Sequence, residues 1–341
     1  MTDIPDGSVN LIVTSPPYPM IEMWDTMFSE QDPAVGEALR AGNGMDAFEK
    51  MHQILDGIWA ECDRVLADHC FVCINIGDAT RTINGEFQLY SNHARVINHF
   101  LSKGYSVMPD VHWRKQSNAP NKFMGSGMYP AGAYVTYEHE YILIFRKGAK
   151  REFKGNDKAL RQKSAFFWEE RNVWFSDLWE IKGATQTISA PKTTRDRNAS
   201  YPLEIPYRLV NMYSAEGDTV LDPFAGLGTT NLACMVANRN SIGIEVDAEI
   251  AEMALNHMNQ SVTTLNKAIE SRINRHLEFI ETLPEDKKAK CYNNGPHGFK
   301  VKTKQETAIQ IDEIASIVRK DNTYRCEYQK YQPKTEQLSM L

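Results

Sequence analysis

Two short apolar runs, each stopping in a turn of special backbone chemistry, constrain the fold of this 341-residue chain more than any other feature. The later run, Thr219-Val220-Leu221-Asp222, passes through Pro223 and Phe224 into Ala225-Gly226-Leu227-Gly228-Thr229-Thr230. Such a run reads as a short buried strand. Gly226 and Gly228 permit φ > 0 and close backbone approach, and Thr229 and Thr230 are placed to cap a helix over Asn231–Val236. Ser241-Ile242-Gly243-Ile244-Glu245-Val246-Asp247 reads as the next strand, with Glu245 at its carboxyl end. Strand, glycine turn, helix, strand and terminal acid make one nucleotide-type half of a doubly wound α/β fold. The acid stands where it can hold ribose hydroxyls.

The earlier run is Asn10-Leu11-Ile12-Val13-Thr14, followed at once by Ser15-Pro16-Pro17-Tyr18-Pro19. Leu11, Ile12 and Val13 read as a second buried strand. The prolines remove backbone donors and fix φ, so neither sheet nor helix continues. A stiff loop therefore projects from the strand's carboxyl end, where ligands bind in open α/β sheets. Tyr18 offers a flat face for a base, and Ser15 and the Pro16 carbonyl offer acceptors. A Pro-rich turn with no ligand would read the same way on its own; the glycine turn tips the reading towards function.

Thr-Ser-Pro-Pro-Tyr at Thr14–Tyr18 and Asp-Pro-Phe-Ala-Gly-Leu-Gly-Thr-Thr at Asp222–Thr230 together resemble the S-adenosylmethionine-dependent DNA amino-methyltransferases. The catalytic loop precedes the cofactor loop, which is similar to the circularly permuted beta arrangement of that family. The similarity covers most of residues 5–260. It implies an α/β, doubly wound Rossmann-like methyltransferase sheet with an inserted target-recognition region. It also implies S-adenosylmethionine held by Asp222, Phe224, Ala225, Gly226, Gly228, Thr229 and Glu245, with Ser15, Pro16, Pro17 and Tyr18 as the catalytic loop. The expected divisions are a catalytic half (1–145), an insertion with its linker (146–197), a cofactor half (198–265) and a C-terminal region (266–341).

Net charge is −6, so no general basic field announces nucleic acid. From Tyr141 to Ser200, however, thirteen Lys and Arg face seven Asp and Glu, which fits a locally targeted polyanion contact. Arg146–Lys163 is the densest part, and in the beta arrangement the target-recognition insertion sits there. Lys150, Arg151, Lys154 and Lys158 are its candidate DNA contacts, against the alternative of a solvated surface. The aromatics Phe166, Phe167, Trp168, Trp174, Phe175 and Trp179 follow, and are expected to dock the insertion onto the body. Asp177–Ile181 is similar to a strand the family places before the return to the cofactor half, and Lys182–Asn198 reads as a polar linker. A helix is expected from Pro202 towards Tyr213. Asn198-Ala199-Ser200-Tyr201-Pro202 stands where the family usually carries a His-Pro signature, so no cofactor contact is assigned there.

Elsewhere, residues 19–44 read as a flap over the catalytic mouth, with Trp24 either touching the substrate base or anchoring the flap. Apolar positions at helical spacing from Phe48 to Leu66 predict an amphipathic helix over Asp46–Leu66. Cys70–Ile76 predicts a buried strand ending in Gly77-Asp78, with Asp78 a turn residue or a site acid. Cys70 and Cys73 fall on opposite faces of that strand, so they read as buried thiols rather than metal ligands. A helix over Leu89–Ser102 closed by Gly104 and strands over Tyr105–Trp113 and Glu138–Phe145 come next. Trp113 and Lys115 resemble the family's strand-end tryptophan and basic residue beside the substrate pocket, though Trp113 also suits packing. The loop between these strands carries Asn118, Asn121, Lys122, Gly125, Gly127 and Gly132 and is expected to close on DNA. A helix is expected from Ala248 to about Leu265, a strand over Phe299–Thr303 and an amphipathic helix over Thr307–Arg319. The C-terminal strand is expected to fill the far side of the cofactor half. An appended module, or a strand missing before Pro5, are the other readings.

No Pro-Cys occurs, which removes the nucleophile a C5-cytosine enzyme needs. An exocyclic amine needs no covalent intermediate. Acceptors at Ser15 and the Pro16 carbonyl can draw its lone pair back onto nitrogen by orientation and electrostatics. Ser in the first motif position resembles N4-cytosine enzymes, whereas Asp is commoner among N6-adenine enzymes. The expectation is therefore N4-cytosine methylation of flipped bases in double-stranded DNA within a restriction–modification system. N6-adenine is the alternative; an RNA methyltransferase or a silent DNA-binding subunit follows. No signal peptide, spanning apolar run or metal motif is expected, the chain reads as cytoplasmic, and a homodimer stays open.

Overall fold

The computed structural model describes residues 1–115, 127–183, 201–259 and 262–333. Eight strands form the central sheet. Its order is Asn240–Gly243, Thr219–Asp222, Val9–Thr14, Leu66–Ile76, His139–Arg146, Val111–Arg114 and Leu178–Trp179, with Ser106–Val107 also paired to His139–Arg146. The first four strands are parallel. His139–Arg146 runs antiparallel to both neighbours. The parallel strands therefore end together at Thr14, Ile76 and Asp222. The doubly wound α/β architecture expected from the paired motifs is present.

Alternation along the strands divides the core into two layers. Leu11, Val13, Cys73, Ile142 and Ile144 face one cluster, covered by helices Glu204–Tyr213, Thr229–Val236 and Val262–Glu281. Ile12, Val72, Ile74, Leu143 and Phe145 face the other, covered chiefly by helices Gly44–Val65 and Asn92–Ser102. Cys70 and Cys73 fall in opposite layers, as their spacing requires. Sheets buried on both faces by crossover helices need such near-continuous apolar strands.

Several expectations are corrected. Residues 19–44 are not a loose flap: helices Asp25–Gln31 and Pro33–Arg40 bury Phe28 and Val35 completely. Asp32 accepts from Ala34 N with Pro33 in the first turn, so this polar pair starts a helix instead of breaking one. The Leu89–Ser102 helix begins at Asn92, because Ala79–Ile83 and Glu86–Tyr90 pair as a hairpin around Asn84-Gly85. Both turn residues have positive φ, the signature of an Asn-Gly hairpin turn. Gly104 does close the helix, at φ +81°. The Tyr105–Trp113 strand is interrupted, giving Ser106–Val107 and Val111–Arg114. The helix from Ala248 ends at Met258, and a second runs over Val262–Glu281.

Among the described residues, the C-terminal region does not complete the sheet. Lys300–Val301 pairs only with Tyr292–Asn293, and Asn240–Gly243 remains the edge strand. Thr307–Arg319 is not a helix; Asp312–Lys320 pairs antiparallel with Thr323–Lys330. The apolar spacing at Ile311, Ile314 and Ile317 imitates a helix, but β-branched side chains favour the strand. This region packs instead on the insertion, whose Phe167, Trp174 and Trp179 are buried as docking residues. Arg272 donates to both oxygens of Glu170, from Nε at 2.6 Å and from Nη2 at 2.8 Å. His276 stacks on Phe167 at 3.8 Å and meets Glu169 at 2.7 Å.

The basic segment lies at the edge of the sheet opposite Thr14, Ile76 and Asp222. Arg151 forms a two-pronged pair with Asp218, the residue before the Thr219–Asp222 strand. Lys147 donates to the carbonyls of Asp63 and Leu66, and Lys163 pairs with Glu216 and Asp312. Lys150, Arg151, Lys154 and Lys158, the candidate DNA contacts, therefore lie away from the catalytic loop, and Arg151 is taken up by Asp218. Asn118, Asn121, Lys122 and Gly125, expected to close on DNA, and most of the Lys182–Asn198 linker lie outside the described residues.

Arg272→Ala leaves Glu170, whose side chain is 11% exposed, without its partner, and removing one member of such a largely enclosed pair costs about 3–5 kcal/mol. The urea midpoint of the full chain is expected to fall accordingly; an unchanged midpoint would show that the insertion does not depend on this tie.

Candidate active site

Ser15–Pro19 leaves the strand Val9–Thr14 at the carboxyl edge, with Pro16 and Pro17 buried and Ser15 and Tyr18 half-buried. Thr14 Oγ1 donates to Asp222 Oδ1 at 2.6 Å, and Thr230 Oγ1 donates to Asp222 Oδ2 at 2.6 Å. Phe224 N also donates to Oδ1 at 3.1 Å. Asp222 thus joins the catalytic strand to the glycine turn. Burial pushes its carboxyl up to about 6, against the lowering effect of the Thr14 and Thr230 hydrogen bonds. Its oxygens face the protein, so Asp222 positions the cofactor turn from beneath. Thr230 is likewise turned inward, and Gly228 is the cap residue of helix Thr229–Val236, without a side-chain cap bond.

Above Asp222 the turn is open. Gly226 has φ +50° and no atom within 4 Å of where a Cβ would sit, leaving space over its Cα. Gly226 N donates to Glu245 Oε2 at 2.9 Å, and Asp247 N donates to Oε1 at 3.0 Å. Glu245 is half-exposed at the end of Asn240–Gly243, where it both braces the turn and presents an acid to the mouth. Phe224, Ala225 and Thr229 are half-buried around it. Gly243 is required on packing grounds, because a Cβ there would lie 2.6 Å from Asn231 Oδ1. An open glycine turn beside a strand-end acid fits a nucleoside cofactor.

The base side is held by two residues that sequence reading missed. Tyr18 Oη donates to Glu140 Oε2 at 2.9 Å. Asn75 Nδ2 donates to Tyr18 Oη at 2.8 Å and to Glu140 Oε2 at 2.7 Å. Ser15 Oγ lies 3.0 Å from Tyr18 Oη. Lys115 Nζ pairs with Glu140 Oε1 while lying 4.5 Å over the Trp113 ring. Burial, and then the Glu140 charge, hold the Tyr18 phenol well above its ordinary range, so it stays neutral. A Cβ on Gly77 would meet the Tyr18 ring at 3.1 Å, so this glycine makes room for the loop. The available signal was a lone polar residue near the end of each apolar strand, Asn75 between Ile74 and Ile76 and Glu140 before Tyr141–Phe145; buried polar groups are there for their partners.

Not every expected residue reaches this site. Trp113 is 1 % exposed and its Nε1 donates to the Ile181 carbonyl, so it packs and supports Lys115. Trp24 is half-buried against the helical layer that replaces the flap. Asp78 accepts from His93 N and from its ring, fixing the start of helix Asn92–Ser102. Among the described residues no cluster could hold a metal, and no helix is long and apolar enough to cross a membrane.

Residues 9–256 match the DNA methylase family. The chain belongs to that family. It is 48% identical over 345 residues to the type II methyltransferase M.MthZI of Methanothermobacter thermautotrophicus, covering 100% of this chain and 96% of the relative. It is 50% identical over 261 residues to the type II methyltransferase M.MjaI of Methanocaldococcus jannaschii, covering 73% and 85%. In structure it is similar to TTHA0409 of Thermus thermophilus complexed with S-adenosyl-L-methionine, with a TM-score of 0.57 and 28% identity over 75% of this chain and 89% of that one. As a DNA methylase the chain takes its methyl group from S-adenosylmethionine and acts on DNA.

Asp222 gives the methylase a pH signature. Its folded value of about 6 lies above the ordinary 3.8, so the folded state holds this proton more tightly than the unfolded chain. The group's contribution to stability therefore falls as pH rises from about 4 to about 6 and is level above. The urea stability of wild type relative to Asp222→Asn should fall across that window. A difference independent of pH would show that the carboxyl is not raised.

Proposed function

We propose that this chain is a site-specific type II DNA methyltransferase of a restriction–modification system that methylates the N4 amine of cytosine in double-stranded DNA. The DNA methylase family covers both N4-cytosine and N6-adenine enzymes; the choice of cytosine rests on one observation, the serine in the first position of the catalytic loop. The type II relatives support the restriction–modification setting, and the order of the two loops supports the permuted arrangement.

Tyr18 has one hydroxyl proton, and Glu140 takes it. The contact between Ser15 Oγ and Tyr18 Oη is then made with the serine proton. Ser15 Oγ accepts one long bond from Asn75 Nδ2, at 3.4 Å, which leaves its other lone pair to accept from a substrate amine. The Pro16 carbonyl is the second acceptor, and together they oppose delocalisation of the amine lone pair into the ring. S-adenosylmethionine supplies an electrophilic methyl group whose transfer leaves a neutral thioether. The Tyr18 ring, fixed at its edge by Glu140 and Asn75, stacks on the base. The base must leave the duplex to reach it, at a cost of a few kcal/mol. The Gly226 turn and Glu245 hold the nucleoside end of the cofactor.

Nucleoside mass spectrometry of DNA from cells expressing the protein is expected to show N4-methylcytosine; N6-methyladenine alone would overturn the choice of base. Tyr18→Ala should lower methyl transfer by about five- to 150-fold while calorimetric affinity for S-adenosylmethionine stays within about twofold, since stacking on a base contributes about 1–3 kcal/mol. Equal loss of both would mean that the loop also forms the cofactor site.

A further inference from the structure

At the sheet edge opposite the catalytic loop, a cleft of ≈ 1360 Å³ opens between the basic segment, the end of helix Glu204–Tyr213 and residues 303–308. Lys150, Arg151, Lys158, Arg161, Arg171 and Lys304 line it. Arg151 is neutralised by Asp218. Lys150, Lys158 and Lys304 meet no carboxylate among the described residues, and all three are exposed. Arg161 rests on the Phe153 ring at 5.0 Å and Arg171 on the Phe175 ring at 5.6 Å, which props both guanidiniums without neutralising them. The single acid in the lining, Glu306, is 2 % exposed and accepts from Trp168 N and Thr303 N. Five cations with no facing counter-charge among the described residues thus converge on one concave surface.

The parallel strands separate this surface from the catalytic loop. Phe71 lines the cleft, and Ile76 ends the same strand at the catalytic edge. Five residues of strand at about 3.3 Å each put roughly 17 Å between them. Duplex DNA is stiff over about 150 bp, so a short duplex at the catalytic mouth cannot bend round to the opposite edge.

We propose that this cleft is a second site for the phosphate backbone of duplex DNA, binding a segment other than the one being methylated. Contact is electrostatic and independent of sequence, so the site holds the enzyme to long DNA while the mouth is empty or engaged. Each phosphate neutralised releases counterions and steepens the salt dependence. This inference concerns binding alone and stands apart from which base is methylated.

The test uses the full chain and a duplex of arbitrary sequence of about 20 bp. Native mass spectrometry at low salt should find up to two duplexes on the wild-type chain. The variant Lys150→Ala, Lys158→Ala, Arg161→Ala and Lys304→Ala combined should carry at most one. In fluorescence anisotropy the weaker binding phase should vanish, and with it a salt slope of about 0.9 per lost contact. Lys304→Glu alone, a change at one exposed position, should weaken that phase without altering circular dichroism. Never more than one duplex on the wild type, two on both proteins, or loss of both duplexes together would overturn the proposal; the last would place the cleft within a single DNA footprint.

Discussion

The buried carboxylate of Asp222 is the interaction on which the site depends. Ladder pairing between the two strands it joins is short, with only Leu11 opposite Val220 and Ile12 opposite Leu221. Beyond those pairs, the relative placement of the catalytic loop and the glycine turn rests on hydroxyl donors from Thr14 and Thr230, at 2.6 Å each. Thr14 and Asp222 are 208 residues apart in the chain. Burying an acid is unfavourable in itself, as its raised proton affinity records, and hydrogen bonding to the charged form offsets that. In return, the groups that face the base and those that face the cofactor are fixed against one another. A reaction between two bound partners depends on such relative orientation.

A second set of buried charges holds the rest of the chain to this frame. Arg272 lies between Glu170 and the rings of Phe167 and Trp174, and His276 bridges Glu169 and the Lys300 carbonyl. The insertion and the C-terminal region therefore fold against each other, and neither adds a strand beyond Asn240–Gly243. The C-terminal region thus supports the helical layer over the cofactor half, through Tyr328 donating to the Met235 carbonyl and Tyr324 to that of Leu255.

The sequence was most legible where a single physical preference acted alone. Apolar runs located the strands Val9–Thr14, Leu66–Ile76 and Thr219–Asp222, and helical periodicity located Gly44–Val65. It misled where two preferences overlapped. Asp32-Pro33 serves turns and helix starts equally, and isoleucines three apart suit a helix until β-branching decides otherwise at Asp312–Lys320. Charge within a window was the least informative signal. The excess over Arg146–Lys163 is partly cancelled by Asp63, Asp218, Glu216 and Asp312, which proximity in sequence cannot reveal. The cations left without partners form the cleft and not the catalytic mouth.

The polar cluster at the mouth was legible in its consequence but not in its parts. Ser15 and Tyr18 stood out because prolines surround them, whereas Glu140 and Asn75 lie inside strands that read as apolar. Yet the direction of the hydroxyl hydrogen bonds of Tyr18 and Ser15 is set by Glu140, which accepts from Tyr18, Asn75 and Lys115. Were this position an amide, it could donate as well as accept, and the Tyr18 proton would no longer be committed. The serine proton would then be free to turn outward, replacing an acceptor with a donor at the point where a substrate amine presents its own hydrogens. Lys115 compensates the buried acid, and Trp113, itself withdrawn from the surface, carries the lysine on its ring. The tryptophan thus shapes the pocket through two intermediaries without touching a substrate.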